Sequence, residues 1–314
     1  MVHAAPLVHI GYHKTGSRWL RHLFFGNPAT GYGWVDKSGE EHPVRRLVRA
    51  RPLEFDAEAS RAEFEPLLAE IVEAGLQPIV SFERLSGNPF SGGYDSKEIA
   101  DRLAQVFPDA RILVVVREQR SMIVSTYKQF VREGGAMSVT KFMQPPTSRS
   151  MRIPWFDFRY FEYDHLLGYY RRLFGADRVL ALPYEQFRSD PRSFVERLAG
   201  FAGRPLTAKQ LDALPFDSRE NPGPPATAIA ARRWLNTLGV RTDLNPAPPL
   251  ASPAFWRIGK RIDRLSLAPR RVVTYEEGKL RHLVAERVGD RYVESNRRTA
   301  ELSGLDLGAY GWMI

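Results

Sequence analysis

LVHIGYHKTGSRWLRHLFF, residues 7–25, decides the fold of this chain. Leu7 to Ile10 is a short apolar run, the mark of a strand buried on both faces. Gly11, Lys14 and Gly16 follow, and a stretch of helical character begins near Ser17. A strand, a glycine-bearing turn and a helix in this order make an anion cradle, because N–H groups of the turn and of the helix N-terminus converge on one point. Gly16 lets the backbone come close. Lys14 adds a point charge, and Ser17 offers a hydroxyl or a helix cap. One detail is out of the ordinary: the nucleotide-binding P-loop carries its lysine after the last glycine, whereas Lys14 precedes Gly16. The plain alternative is a strand–turn–helix with an exposed lysine.

Three more apolar runs read as buried strands: Pro78 to Phe82, Arg111 to Val116 (RILVVV) and Val179 to Leu182. Between them lie segments of helical period. Arg61 to Ala74 sets Phe64, Leu67, Leu68, Ile71 and Val72 on one stripe. Ser96 to Val106 reads as a helix capped by its serine, and Phe161 to Phe174 and Pro191 to Phe201 follow the same pattern. Strands alternating with helices predict an α/β fold, a central parallel sheet flanked by helices. After about residue 205 strand signals cease. Helices joined by Pro-rich loops, at 221–225 and 245–249, fill the rest. The expected organisation is a single domain over 1–314, with an α/β core at about 5–205 and a mainly helical C-terminal elaboration at about 206–314.

The chain has 314 residues, 43% hydrophobic and 26% charged, the balance of a soluble globular protein. The absence of cysteine excludes disulfides, thiolate metal sites and cysteine nucleophiles. No stretch approaches the ~20 apolar residues of a membrane span. The N-terminal residues lack the basic start and apolar core of a signal peptide, so the expected location is cytoplasmic. A net charge of +9 favours an anionic partner. With no nucleic-acid motif beside it, the charge points to an acidic cofactor or substrate and not to nucleic acid. Ala254 to Leu265, within the basic stretch 254–271, is basic and amphipathic. Such a segment either packs on the core or makes weak contact with a membrane surface.

The strand RILVVV carries the second motif. A magnesium-dependent P-loop enzyme needs a carboxylate at the end of a nearby buried strand, yet this strand runs into Arg117. A guanidinium there repels magnesium and attracts phosphate through paired hydrogen bonds. Ser125 follows eight residues later, about two turns on if the segment is helical. The alternative is a surface arginine and an unrelated helical serine.

Tyr12-His-Lys-Thr-Gly-Ser-Arg-Trp19 resembles the 5′-phosphosulfate loop of sulfotransferases that use 3′-phosphoadenosine 5′-phosphosulfate (PAPS). Arg117 and Ser125 resemble that family's 3′-phosphate pair. Phe174 to Phe187 resembles its next core strand, with Tyr184 near the base, and Asp190-Pro191 with the helix after it also fits. The resemblance covers about residues 7–25, 78–135 and 160–238, and the tail around Glu294–Arg298 and Gly304–Gly311 is similar to the ends of bacterial-type members. It implies a P-loop-like sulfotransferase fold, PAPS as donor, 3′-phosphoadenosine 5′-phosphate (PAP) as product, and no metal. It further implies roles. Lys14 stabilises the leaving phosphate. Thr15, Gly16, Ser17 and Arg18 hold the phosphosulfate, Trp19 stacks on or near adenine, Arg117 and Ser125 bind the 3′-phosphate, and Tyr184 lies at the base. Two departures stand out. Arg18 replaces the Thr or Ser common in the cytosolic branch, as in some glycan sulfotransferases, and the C-terminal Arg-Lys-Gly loop is absent.

The family places a histidine or glutamate near the end of the second core strand to accept the acceptor's proton. Here Pro78-Ile-Val-Ser-Phe-Glu-Arg-Leu85 puts Glu83 at that point. His13, inside the cradle, is the rival. His9 and His13 lack a third ligand, so no metal site is expected. The aromatic run Trp155 to Phe161, after Pro145-Pro146, either lines an acceptor pocket or packs in the core. The expected acceptor is a hydroxyl compound, first of all a saccharide or glycolipid. Two alternatives remain: a kinase using ATP and magnesium, and a non-catalytic nucleotide-binding relative.

Overall fold

The computed structural model describes residues 5–35, 39, 42–144, 153, 155–218, 223–263 and 268–314. Its centre is a five-stranded parallel sheet in the order β2-β3-β1-β4-β5. The strands are β1 (Leu7–His9), β2 (Tyr32–Trp34), β3 (Gln77–Ser81), β4 (Arg111–Val116) and β5 (Val179–Pro183). β1 pairs with β3 in the register Leu7↔Ile79 and with β4 in the register Leu7↔Arg111. The chain thus goes from β1 to the edge at β2, returns to β3 beside β1, and then crosses to β4 on the other side, so the carboxyl ends of β1 and β4 flank the point where the strand order reverses. Open α/β sheets bind ligands at such a point.

The sheet is buried on both faces, which explains the unbroken apolar runs. Side chains alternate between faces along β4: Ile112, Val114 and Val116 join one core cluster, and Leu113 and Val115 join the other. β2 lacks such a run. It is an edge strand of three residues centred on Gly33, where a Cβ would come within 2.5 Å of Ile71.

α1 (Ser17–Trp19) leaves the loop after β1 and widens into a π-helical segment, Leu20–Phe25. α2 (Pro43–Arg49) and α3 (Ala57–Glu73) lead to β3, and α4 (Ser96–Val106) leads to β4. The expected cap on α4 shifts by one residue. Asp95 holds the N-cap position, and Ser96, the first helical residue, donates its hydroxyl to Ser86 O at 2.8 Å. Asp95 makes no side-chain cap because its carboxylate serves Asn88 N and Arg84. α5 (Gln119–Arg132) follows β4, and α6 (Val139–Phe142) and α7 (Tyr163–Phe174) precede β5. α8 (Tyr184–Ser189) and α9 (Pro191–Phe201) complete the core.

Beyond it come α10 (Ala208–Asp212), α11 (Ala226–Gly239), α12 (Pro253–Ile262), α13 (Arg270–Val288) and α14 (Val293–Ser303). Arg232, 2% exposed, ties three of these layers together. It donates to Arg132 O of α5, pairs with Asp263 after α12, and lies over the Trp256 ring. The basic stretch therefore packs its Trp256 and Gly259 side inward, with Ile258 exposed on the outside. Residues 264–267 of that stretch, and Pro145-Pro146, lie outside the described residues. Among the described residues, no helix is long and apolar enough to cross a membrane.

Candidate active site

The loop between β1 and α1 is shaped by what it must avoid. A Cβ at Gly11, φ +24°, would stand 2.5 Å from His9 Nε2, so only glycine lets the chain pass over that ring. His9 itself is buried, with Nδ1 on Ser81 Oγ at 2.8 Å. Burial and then nearby Arg21 push it down to about 3, so it is neutral at working pH. Thr15 Oγ1 donates to Tyr12 O at 2.5 Å and closes the loop on itself. Lys14 has φ 68° and Gly16 φ 82°, left-handed conformations that only glycine adopts cheaply. For Lys14 this is strain held in place by the surrounding loop, of the kind found at ligand sites.

Gly16 sits at the N-cap of α1 and offers no side chain to cap it. The first N–H groups of a helix have no internal acceptors. Ser17 Oγ is buried and has no hydrogen-bond partner among the described residues. The loop therefore presents unsatisfied donors in one place. An oxyanion supplies what they lack.

Lys14 adds charge under stress. Burial first, and then Arg132, Arg117 and Lys128, push its ammonium down to about 8, with Glu133 acting the other way. Arg117 leaves the end of β4 and reaches back to the loop. Its Nε donates to Ser121 Oγ at 2.9 Å, and one terminal nitrogen donates to Lys14 O at 3.0 Å. Its guanidinium carbon lies 4.9 Å from the centre of the Tyr184 ring. Burial lowers its pKa, with Tyr184 and Glu185 opposing. Tyr163 OH holds Arg117 O at 2.7 Å, fixing the strand end. Phosphosulfate and phosphate groups fit these residues: cations gathered at partly buried positions, beside a loop of orphan donors.

The second half of the site lies at the end of β3. Glu83 opens a short 3-10 turn directly after that strand. Arg21, from the π-helical segment and 5% exposed, grips its carboxylate with two nitrogens, one to Oε2 and one to Oε1 at 3.0 Å. Glu83 and His13 both line a cavity of about 520 Å³. Phe82, Phe90, Trp155, Gln129 and Glu133 stand in the same wall. The aromatic run thus divides: Trp155 is half-exposed in the cavity, and Phe156, Phe158, Tyr160 and Phe161 are buried in the core.

The structure brings Lys14, Thr15, Gly16, Ser17, Arg117 and Tyr184 together. Ser125 lies on α5 one turn beyond Ser121, half-buried. Arg18 points outward and is exposed. Trp19 stands differently from the expectation of an adenine platform. It is 3% exposed, donates Nε1 to Pro215 O, and faces the Phe216 ring at 5.7 Å and 15°. Aromatic burial has filled its face, and adenine reaches it only if Phe216 is parted from it. Arg21, Ser121 and Glu185 carried no sequence signal. Glu185 accepts from Glu118 N and from Trp312 Nε1, tying the C-terminal tail to the turn beneath Arg117. Among the described residues, no group of three His, Asp or Glu is arranged to hold a metal ion.

Residues 96–208, which carry β4, Arg117, Ser125, β5 and Tyr184, match the sulfotransferase family. Over that segment the chain is similar to that family. Cytosolic sulfotransferase 16 of Arabidopsis thaliana is 26% identical over 206 residues, covering 63% of this chain and 53% of the plant protein. Cytosolic sulfotransferase 17 of the same plant is 24% identical over 205 residues, covering 63% and 52%. The chain thus spans about half the length of these curated relatives. A solved sulfotransferase from Alicyclobacillus acidocaldarius superposes with a TM-score of 0.57 over 98% of both chains, at 16% identity, and shares the fold.

Proposed function

We propose that this protein transfers a sulfuryl group from PAPS to an acceptor hydroxyl, without a metal ion. The observation that carries the reading is the loop at the end of β1, with its buried, partnerless Ser17 hydroxyl, beside a Lys14 whose neighbours are mainly cations. In this reading the N–H groups of Thr15 to Arg18 and the Ser17 hydroxyl hold the phosphosulfate. Arg117 and Ser125 take the 3′-phosphate, and Tyr184 lies at the base.

The chemistry is an in-line displacement on sulfur. Glu83 accepts the acceptor's proton as the acceptor oxygen bonds to sulfur. Lys14 stabilises the negative charge that gathers on the bridging oxygen as the S–O bond to the phosphate breaks, and PAP leaves. A positioned lysine and fixed N–H groups do this electrostatic work in a partly buried loop. Arg21 holds the Glu83 carboxylate in one orientation at the cavity wall. A saccharide or glycolipid hydroxyl is the acceptor class we favour, supported by Arg18 and by the carboxylate base. The names of the plant relatives support a cytoplasmic place of action.

Thermal unfolding with added nucleotide tests the reading. PAP at 100 times its dissociation constant stabilises the protein by ~2.7 kcal/mol, and ATP with magnesium gives less. A larger shift with ATP and magnesium overturns the proposal in favour of a kinase. A PAP shift without transfer to any acceptor identifies a non-catalytic relative.

A further inference from the structure

The cavity beside the donor loop has a carboxylate that no ion pair among the described residues closes. Two ion pairs in it are closed: Glu83 with Arg21, and Arg84 with Asp95 at 2.9 Å. Glu133 is different. The only hydrogen bond to its carboxylate among the described residues comes from the neutral amide of Gln129, which donates to Oε1 at 2.7 Å. Lys14 is the cation of the donor loop that acts on it. Arg132, next to it in the chain, acts on it more strongly than Lys14 does but forms no ion pair with it among the described residues; once an anionic donor engages Lys14, the Lys14 share of that compensation is withdrawn while the carboxylate lines the cavity. Asp243, across the rim, adds the same sign.

Glu133 is also held firmly in place. It follows the last turn of α5, where its N–H bonds to Gln129 O at 2.9 Å. The turn after it depends on Gly134, φ +107°, where a Cβ would meet Thr242 Oγ1 at 2.4 Å. Asn236, 1% exposed, donates to Val131 O and Gly135 O on either side of Glu133. A backbone anchored this way holds Glu133 on a fixed support, so no main-chain entropy is lost when it binds a ligand. The Trp155, Phe82 and Phe90 rings stand in the same cavity. Aromatic faces beside a carboxylate favour an ammonium group, especially when partly desolvated.

We propose that Glu133 is a specificity-determining residue that binds a positively charged amine on the acceptor, so that the enzyme prefers hydroxyl compounds carrying a protonated or quaternary amine. This rests on the sulfotransferase reading and narrows its acceptor class. The amine sits against Glu133 and the aromatic wall, and the hydroxyl is turned toward Glu83.

The test compares matched acceptors on PAP-loaded protein by calorimetry: choline against its neutral isostere 3,3-dimethylbutan-1-ol, and D-glucosamine against D-glucose. The expected result is at least about tenfold tighter binding of the cationic member of each pair, a difference of about 1.4 kcal/mol. Glu133→Gln abolishes that preference while PAP still stabilises the variant. Equal binding of the two members, binding of neither, or a preference that survives Glu133→Gln overturns the proposal. Failure of PAP to stabilise the intact protein is a separate outcome. It removes the donor reading, and the same pairs titrated without PAP then decide whether Glu133 binds amines.

Discussion

The two halves of this cleft are built in opposite ways. The proposed donor half is local in sequence: Lys14 and Gly16 fall in the turn between β1 and α1, Ser17 opens α1, and Arg117 sits one residue past a neighbouring strand. The acceptor half is assembled from distant pieces. Its wall draws on the loop at His13, the turn at Glu83, the end of α5, the segment at Trp155 and the loop at Thr242 to Leu244. The proposed donor half depends on left-handed backbone geometry at Lys14 and Gly16, whereas the proposed acceptor half depends on side chains brought together from several elements.

The sharpest way to break the comparison is to disable one half and leave the other intact. Glu83→Gln removes the acceptor-side base, and transfer falls by about 10²–10⁴-fold, the usual worth of a positioned acid or base. PAP still shifts the melting temperature, because nothing in the donor half has changed. Arg21→Met keeps the carboxylate and loses only its clamp, so transfer falls by a smaller factor. Equal losses in the two variants would show that the ion pair, not proton transfer, is what Glu83 provides. Single-turnover rates with saturating PAPS give the comparison.

Lys14→Ala attacks the donor half. Transfer falls by about 10²–10³-fold, the range seen when one donor to a developing oxyanion is removed, and PAP affinity falls less. The depressed ammonium adds a pH signature. Lys14 is charged below about 8 and neutral above it. An anion bound beside it favours the charged form, so PAP binding takes up a proton above that pH and weakens as pH rises through it. Calorimetry in two buffers of different ionisation enthalpy measures the uptake. Uptake that persists in Lys14→Ala would assign it to another group.

The same contrast explains what the sequence revealed. Strands β1, β3, β4 and β5 are legible because burial on both faces fills most of their positions with apolar residues. β2 is not, because an edge strand of three residues around Gly33 has no run to detect. The donor loop is legible because glycine and lysine at that spacing answer a backbone need. Arg21 escaped notice: a cation in an otherwise apolar helical stretch reads as solvent-facing, and its burial is set by Glu83, which lies 62 residues away in the chain. Trp19 shows the reverse case, a motif residue whose face is taken by Phe216 from the C-terminal half.

The smallest expected effect separates two serines on one helix face. Ser121 accepts from Arg117 Nε at 2.9 Å and donates its own proton to Glu118 O at 2.9 Å. With its hydrogen already placed, it acts on PAP by aiming Arg117. Ser125, one turn further along α5, has the direct role if the 3′-phosphate lies over that face. Each alanine variant costs about 1 kcal/mol of PAP affinity, the net worth of a single hydrogen bond. The two differ when Arg117 is also removed. The Ser121→Ala loss vanishes in Arg117→Ala, because the residue it positions is gone. The Ser125→Ala loss persists there, because a contact made directly by the serine does not depend on the arginine. If both losses vanish with Arg117, neither serine touches the phosphate. If both persist, Ser121 is a ligand in its own right, and its bond to Glu118 must break when PAP binds.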